Sequence, residues 1–210
     1  MKKKSLIIFT RYPEVGKTKT RLIPALGAEK SADLQRLMTE NTLKKLDNLT
    51  NTIDLEINIY FSGGNIDLMK KWLGNKYSFY PQIEGDLGFK IYSAFEDNLK
   101  RGKEQIIIIG VDCPDLDSQI LQEAFLSLNN YDLVIGKAMD GGYYLLGLNM
   151  LEKILFTNIN WGTSQVFSQT MSIAKKLNFT IHELPILRDI DRPEDLKYIG
   201  VSFTKEIIKP

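Results

Sequence analysis

The sequence predicts an α/β fold of three layers, an α/β/α sandwich with helices on both faces of a mostly parallel sheet. Three observations carry this. Strand-like and helix-like patterns alternate along most of the 210 residues, the order that builds a parallel sheet through helical crossovers. Ile106-Ile107-Ile108-Ile109 is apolar at every position, as a strand covered on both faces requires. A first apolar run, Ser5 to Thr10, gives way at once to a loop punctuated by Pro13 and Gly16 and carrying Arg11, Lys17, Lys19 and Arg21. The carboxyl end of a parallel strand is where such sheets bind their ligands. The length suits one domain over residues 1–210.

The elements follow in order. After the basic loop, Gly27 to Leu49 reads as a long amphipathic helix, with Leu34, Leu37, Met38, Leu43 and Leu46 at helical spacing. Asp54 to Phe61 is a second strand, stopped by Ser62-Gly63-Gly64. Asn65 to Leu73 reads as a short helix and Tyr77 to Pro81 as a short strand. Gly85 to Lys100 is a helix with Leu87, Ile91, Ala94, Phe95 and Leu99 on one face. The strand Gln105 to Val111 leads to a helix from about Ser118 to Leu128, capped by Asp117 or Ser118. Tyr131 to Lys137 and Tyr143 to Leu148 are strands joined by a short connection, which predicts some antiparallel pairing. A helix from Thr163 to Leu177, a strand from Phe179 to Leu184 and a last helix opening at Asp191-Arg192-Pro193 complete the pattern.

Charge narrows the function. Net charge is +1, yet seven Lys/Arg and one Glu lie at or before Arg21. One basic loop on a near-neutral chain points to a small anionic ligand, whereas a nucleic-acid reader would carry a broad basic face. Four cations on one loop repel each other unless an anion sits among them, and phosphate is the expected anion. Cys113 is the single cysteine, which excludes an internal disulfide and a cysteine-rich metal site. Met-Lys-Lys-Lys precedes too short an apolar run for a signal-peptide core, and no stretch approaches a membrane span. A cytoplasmic protein is expected. The lone histidine, His182, reads as a surface strand residue.

Three motifs carry candidate chemistry. Gly16-Lys17-Thr18 imitates the end of a P-loop, but Arg11 stands where the first glycine belongs and Pro24 would break the helix that should follow. In Gly110-Val111-Asp112-Cys113-Pro114-Asp115-Leu116, Asp112 emerges where the buried strand ends, a good position for a hard-cation ligand such as Mg²⁺ or Mn²⁺. Asp115 reads equally as such a ligand or as a cap of the next helix. In Met139-Asp140-Gly141-Gly142-Tyr143, the glycines allow close backbone approach by a ligand, and Asp140 reads as a metal ligand or a base. The same Asp-Gly is also a strong hairpin signal.

Phe9-Thr10-Arg11-Tyr12-Pro13 through Lys19-Thr20-Arg21-Leu22, Gly85-Asp86-Leu87-Gly88, Gly110 to Leu116 and Asp140-Gly141-Gly142-Tyr143 resemble, in order, the bacterial DUF2064 family. That family is linked with arsenosugar-biosynthesis-type glycosyltransferases. It belongs with the Rossmann-like, GT-A nucleotide-diphospho-sugar transferases, beside the molybdopterin and phospholactate nucleotidyltransferases. The resemblance runs from Leu6 to about Asp195. It implies a metal-dependent glycosyltransferase-like enzyme that takes a nucleotide-sugar and a small-molecule acceptor. The alternatives are nucleotidyl transfer from an NTP to a phosphate-bearing acceptor, or an inactive nucleotide-binding module. It further implies that Thr10, Arg11, Lys17, Lys19, Arg21 and Gly85 hold the nucleotide, with Lys19 and Asp140 catalytic. Asp112 would bind Mg²⁺ or Mn²⁺, and Gly141, Gly142, Tyr143, Trp161 and Thr163 would line the acceptor side. Asp189 and Asp191 fall where the superfamily places a late acidic ligand. Phe89-Lys90 departs from the acidic residue and arginine expected after Gly88.

Overall fold

Among the described residues of the computed structural model (3–50, 53–200 and 203), seven strands form one sheet in the order β3-β2-β1-β4-β6-β5-β7. Met1 and Lys2 of the basic N-terminal stretch lie outside those residues. The strands are β1 (Lys4–Arg11), β2 (Leu55–Ser62), β3 (Ser78–Pro81), β4 (Gln105–Ile109), β5 (Leu133–Ala138), β6 (Tyr143–Leu148) and β7 (Ile181–Leu187). Only β6 runs against its neighbours, pairing antiparallel with β4 and β5. The helices are α1 (Ile23–Leu26), α2 (Ala28–Thr50), α3 (Ile66–Leu73), α4 (Leu87–Lys100), α5 (Ser118–Ser127) and α6 (Val166–Lys176).

Two cores flank the sheet, as the three-layer expectation requires. On one face Leu6, Ile8, Ile59 and Ile107 pack with Leu43 and Leu46 of α2, Met69 of α3 and Phe125 of α5. On the other, Ile7, Ile106 and Ile108 pack with Ile91 and Phe95 of α4 and Met171 and Ala174 of α6. Alternation along β1 and β4 sends successive side chains to opposite layers, so Ile106 to Ile109 serve both cores. Polar Ser5 and Asn58 enter this interior because Asn98 of α4 meets them: Ser5 Oγ donates to Asn98 Oδ1 at 2.7 Å and Asn58 Nδ2 to the same oxygen at 3.2 Å. That bonding makes their burial tolerable and pins α4 to the sheet.

The helix starts are local. Asn65, Asp86 and Asp117 each accept the backbone N–H three residues on, at 2.9, 2.8 and 2.9 Å. Each such cap contributes about 1 kcal/mol. No helix begins at Lys17, in keeping with the rejected P-loop; Pro24 occupies the first turn of α1, after a 3₁₀ turn at Thr20–Leu22. Several boundaries differ from the sequence reading. The segment opening at Asp191 becomes a 3₁₀ turn, Pro193–Tyr198. Thr163 lies two residues before Gln165, the residue that precedes α6: its hydroxyl donates to Asn160 O at 2.7 Å and accepts the Gln165 N–H at 3.3 Å, and the helix begins at Val166. β7 extends past Leu184 through Pro185, which an edge strand tolerates because no ladder N–H is needed there. Trp72 and Tyr80 are half-buried: Trp72 Nε1 donates to Glu40 at 2.8 Å, and Tyr80 stacks on Tyr60 with ring centroids 5.0 Å apart. No described helix is long and apolar enough to cross a membrane.

Candidate functional site

The topology collects the motifs at one edge of the sheet. β1, β4, β5 and β7 run parallel in effect, so Arg11, Asp112, Asp140 and Asp189 all follow strand ends on that edge. Antiparallel β6 begins there, with Gly110 N donating to Tyr144 O at 3.2 Å. Residues more than a hundred positions apart in sequence therefore face one cleft.

The basic loop closes on itself before it meets a ligand. Thr18 Oγ1 donates to Tyr12 O and accepts from Glu14 N, both at 3.1 Å. A cavity of about 340 Å³ opens against it, its wall carrying Arg11, Lys17, Lys19 and Arg21 together with Asp112 and Asp191. Thr10 belongs to this wall through its position, yet its hydroxyl turns inward, 2.8 Å from Thr39 Oγ1 and accepting from Gln35 Nε2 at 3.1 Å. Thr10 thus holds the strand end onto α2. Lys17 is tied to Glu14 at 2.6 Å, an exposed pair worth at most about 1 kcal/mol and easily surrendered to a phosphate. Gly85, read as a nucleotide contact, is not among the residues lining this cavity. Its φ of 134° serves the turn into α4, where a Cβ would stand 2.7 Å from the Phe89 ring.

Lys19 makes the most telling contact. Its ammonium, on a side chain only 4% exposed, donates to Asp112 Oδ1 at 2.8 Å and to Ile190 O at 2.7 Å. Asp112 itself is half-exposed, at 49%, and Ile190 N donates to its carbonyl at 2.9 Å. Arg21 repeats the pattern by ion-pairing with Asp191. Two cations of the first loop therefore reach across to carboxylates of late segments.

Beyond those pairs lies a second cavity of about 380 Å³. Its wall carries Asp112, Asp140, Asp189 and Asp191, together with apolar Phe9, Ile91 and Trp161. It opens outward to a polar space of about 510 Å³ that shares Asp140, Asp189 and Asp191 and adds Arg188, Glu194 and Asp195. Burial raises the Asp189 carboxyl above its usual range, and the negative charge of Asp140 and, more weakly, Asp112 adds to it. Such crowding of carboxylates is what a bound cation relieves. Oxygen donors of this kind suit Mg²⁺ or Mn²⁺, so the residues fit the divalent ion that the sequence implied. Among the described residues, however, no three acidic, histidine or cysteine side chains already form a metal cluster.

The acceptor-side residues divide. Gly142, Tyr143, Trp161 and Thr163 line the inner cavity. Gly141 does not: with φ 91°, it approaches Ser164, whose backbone oxygen would lie 2.3 Å from an added Cβ. The close approach that its glycine permits is to the chain itself, not to a ligand. Asp140 Oδ1 accepts Gly142 N–H at 2.7 Å, which fixes the carboxylate's direction. Tyr143 meets Trp161 edge to face, centroids 6.3 Å apart, and its buried hydroxyl has no partner among the described residues. Trp161 in turn lies on Gly88, where a Cβ would be 2.5 Å from Nε1.

Other residues had no readable signal. Lys45 of α2 donates to Leu116 O at 3.0 Å and to Pro114 O, clamping the turn after Asp112. Burial lowers its pKa, opposed by Asp115 and Asp117. Asp115 is thus part of the clamp's surroundings, and Asp117, not Asp115, caps α5. Cys113 is buried, which pushes its thiol well up and removes it as a nucleophile at neutral pH. His182 lies on β7, bonded to Glu123 at 2.8 Å and away from the cleft, as expected.

Comparison with known proteins agrees with this architecture. No curated protein matches the sequence. The chain is similar to a crystal structure from Desulfovibrio desulfuricans G20 of a candidate nucleotide-diphospho-sugar transferase, with 30% identity and a TM-score of 0.87 over 98% of this chain and 91% of that one. A nucleotidyl transferase from Methanothermobacter shares the fold at 14% identity and a TM-score of 0.62, over 97% and 99% of the two chains. So does glucosyl-3-phosphoglycerate synthase from Mycobacterium tuberculosis, solved with Mn²⁺, UDP and glucosyl-3-phosphoglycerate, at 10% identity and a TM-score of 0.57 over 99% and 77%. The family model described as "Uncharacterized protein conserved in bacteria (DUF2064)" matches residues 45–163. With that match across more than half its length, and a sheet built as the nucleotide-diphospho-sugar transferases build theirs, the chain belongs to the DUF2064 family.

Proposed function

We propose that this protein is a glycosyltransferase that takes a nucleotide-sugar and passes its sugar to a small acceptor. The observation that carries the reading is the division of charge across the Lys19–Asp112 pair. On one side, four cations against two carboxylates, Asp112 and Asp191, line a cavity of net positive charge able to receive a diphosphate. On the other, four carboxylates and an indole line the adjoining space, with Arg21, paired to Asp191, as its cation.

In this reading Arg11, Lys19 and Arg21 hold the phosphates. Charge on the diphosphate grows as the glycosidic bond breaks, so these cations stabilise the transition state more than the bound donor. Asp140, aimed by the Gly142 N–H, takes the proton from the attacking acceptor hydroxyl. Trp161 offers a flat apolar wall to the sugar or acceptor ring. Asp112, with Asp189, would hold Mg²⁺ or Mn²⁺, which would supply further charge neutralisation at the leaving diphosphate.

The rival is nucleotidyl transfer, in which a phosphate-bearing acceptor attacks the α-phosphorus of an NTP. Four cations suit a triphosphate well, and several neighbours of the fold are nucleotidyltransferases. The acceptor side argues against it. Its inner cavity is lined by four carboxylates against one guanidinium, and even with the Lys19 ammonium on Asp112 the set carries a formal −2 before a divalent ion binds. A phosphate ester entering there meets like charge.

A thermal-shift panel with Mg²⁺ or Mn²⁺ tests the choice, comparing NTPs, NDPs and nucleotide-sugars on the wild type and Asp112→Ala. Ligand at ~100 Kd raises stability by about 2.7 kcal/mol. A metal-dependent shift with one nucleotide-sugar, lost in Asp112→Ala, is the expected result. A shift confined to one NTP moves the assignment to nucleotidyl transfer, and no shift with any of them removes both.

A further inference from the structure

Lys19 stands where the two cavities meet. Its left-handed backbone (φ 45°) turns the side chain away from solvent and onto Asp112. Two of the ammonium's three N–H groups are committed, to Asp112 Oδ1 and Ile190 O. The third is left for a ligand in the basic cavity, whose wall Lys19 also forms. Arg21 is disposed alike, a cation of the phosphate side resting on a carboxylate of the acidic side. The protein thus neutralises, with its own residues, both the groups meant for phosphate and those meant for a cation.

A carboxylate already paired with an ammonium is a poor site for a second, divalent cation, because the two positive charges repel across a few ångströms. A phosphate in the basic cavity gives Lys19 another anion. We propose that Lys19 blocks Asp112 in the nucleotide-free protein and shifts toward the phosphates when they bind, so that phosphate binding opens Asp112 to Mg²⁺ or Mn²⁺. Phosphate and metal then bind with positive coupling, and linkage makes the effect reciprocal. This deepens the reading of Asp112 as a metal ligand and depends on it for the metal half only.

Two titrations on the full chain separate the halves. In the first, Mn²⁺ alone is titrated and free ion read by electron paramagnetic resonance. Lys19→Met should bind Mn²⁺ at least about tenfold more tightly than the wild type, within the usual range of coupling. The gain should vanish in Lys19→Met/Asp112→Asn. Lys19→Gln serves if the methionine variant fails to fold. Equal Mn²⁺ affinity in wild type and Lys19 variants, with Asp112→Asn still weakening binding, would overturn the proposal and leave Asp112 a ligand. No dependence on Asp112 at all would overturn both. In the second, metal-free pyrophosphate is titrated calorimetrically. Asp112→Asn, which releases Lys19, should bind it about fivefold more tightly, and more so than Asp189→Asn, which removes the same charge without touching Lys19. Equal gains in the two variants would show that Lys19 is not restrained by its pair and would sink the idea.

Discussion

The two sides of the cleft are built in opposite ways. The basic side is nearly one continuous segment, Arg11 to Arg21, closed by its own hydrogen bonds through Thr18. The carboxylate side is assembled from the end of β4, the β5–β6 turn, the Trp161 loop and the residues after β7. A local site depends on sequence order and tolerates change around it. A composite site depends on packing, so small errors in distant backbone should damage it most.

Gly141→Ala should break the composite side hardest. It combines a positive φ with a Cβ 2.3 Å from the Ser164 carbonyl oxygen, and strain plus overpacking together cost about 3 kcal/mol or more. Chemical denaturation should show that loss while the isolated basic-loop chemistry, read as pyrophosphate binding in the folded fraction, survives. Survival of full stability would mean the Ser164 loop is free to move. Next comes the contrast in ligand binding. Arg11→Ala should weaken pyrophosphate about tenfold or more, since a charge-assisted hydrogen bond contributes about 1.5–3 kcal/mol. Asp140→Asn should leave that affinity within about twofold yet abolish sugar transfer; calorimetry beside a turnover assay would decide. If both variants lose pyrophosphate equally, the two sides are not separable. Gly88→Ala should give the smallest effect, about 1–3 kcal/mol of stability from overpacking. It pushes on Trp161, so acceptor KM should rise with donor binding intact, and indole fluorescence should report the displacement.

Legibility followed the same division. Arg11, Lys17, Lys19, Arg21 and Asp112 were readable because a strand pattern ends beside each and the charged residues adjoin it. Lys45, Gln35 and Phe9 were not, because each reaches the site from an element whose sequence reads only as helix or strand. Gly85 and Gly141 show the converse error. Gly85 was read as a nucleotide contact and Gly141 as room for a ligand, but glycine tolerates close approach of any atom, and here that atom is in Phe89 or Ser164. The start of α6 was read three residues early, at Thr163, because a hydroxyl near a helix start has several local partners, here Asn160 O and Gln165 N–H.

The amino-acid sequence by itself determined the layers, the strand that occupies the centre, the helix starts at Asn65, Asp86 and Asp117, and the loop that gathers positive charge. These rest on periodicity, capping and local charge, all of which act over a few residues. Tertiary structure alone decided that Lys19 would rest on Asp112 and Arg21 on Asp191, 93 and 170 positions away. Those distances are closed by strand order and by the reversal at β6, which no local pattern encodes, and the pairing they create is what joins the cleft's two charges into one site.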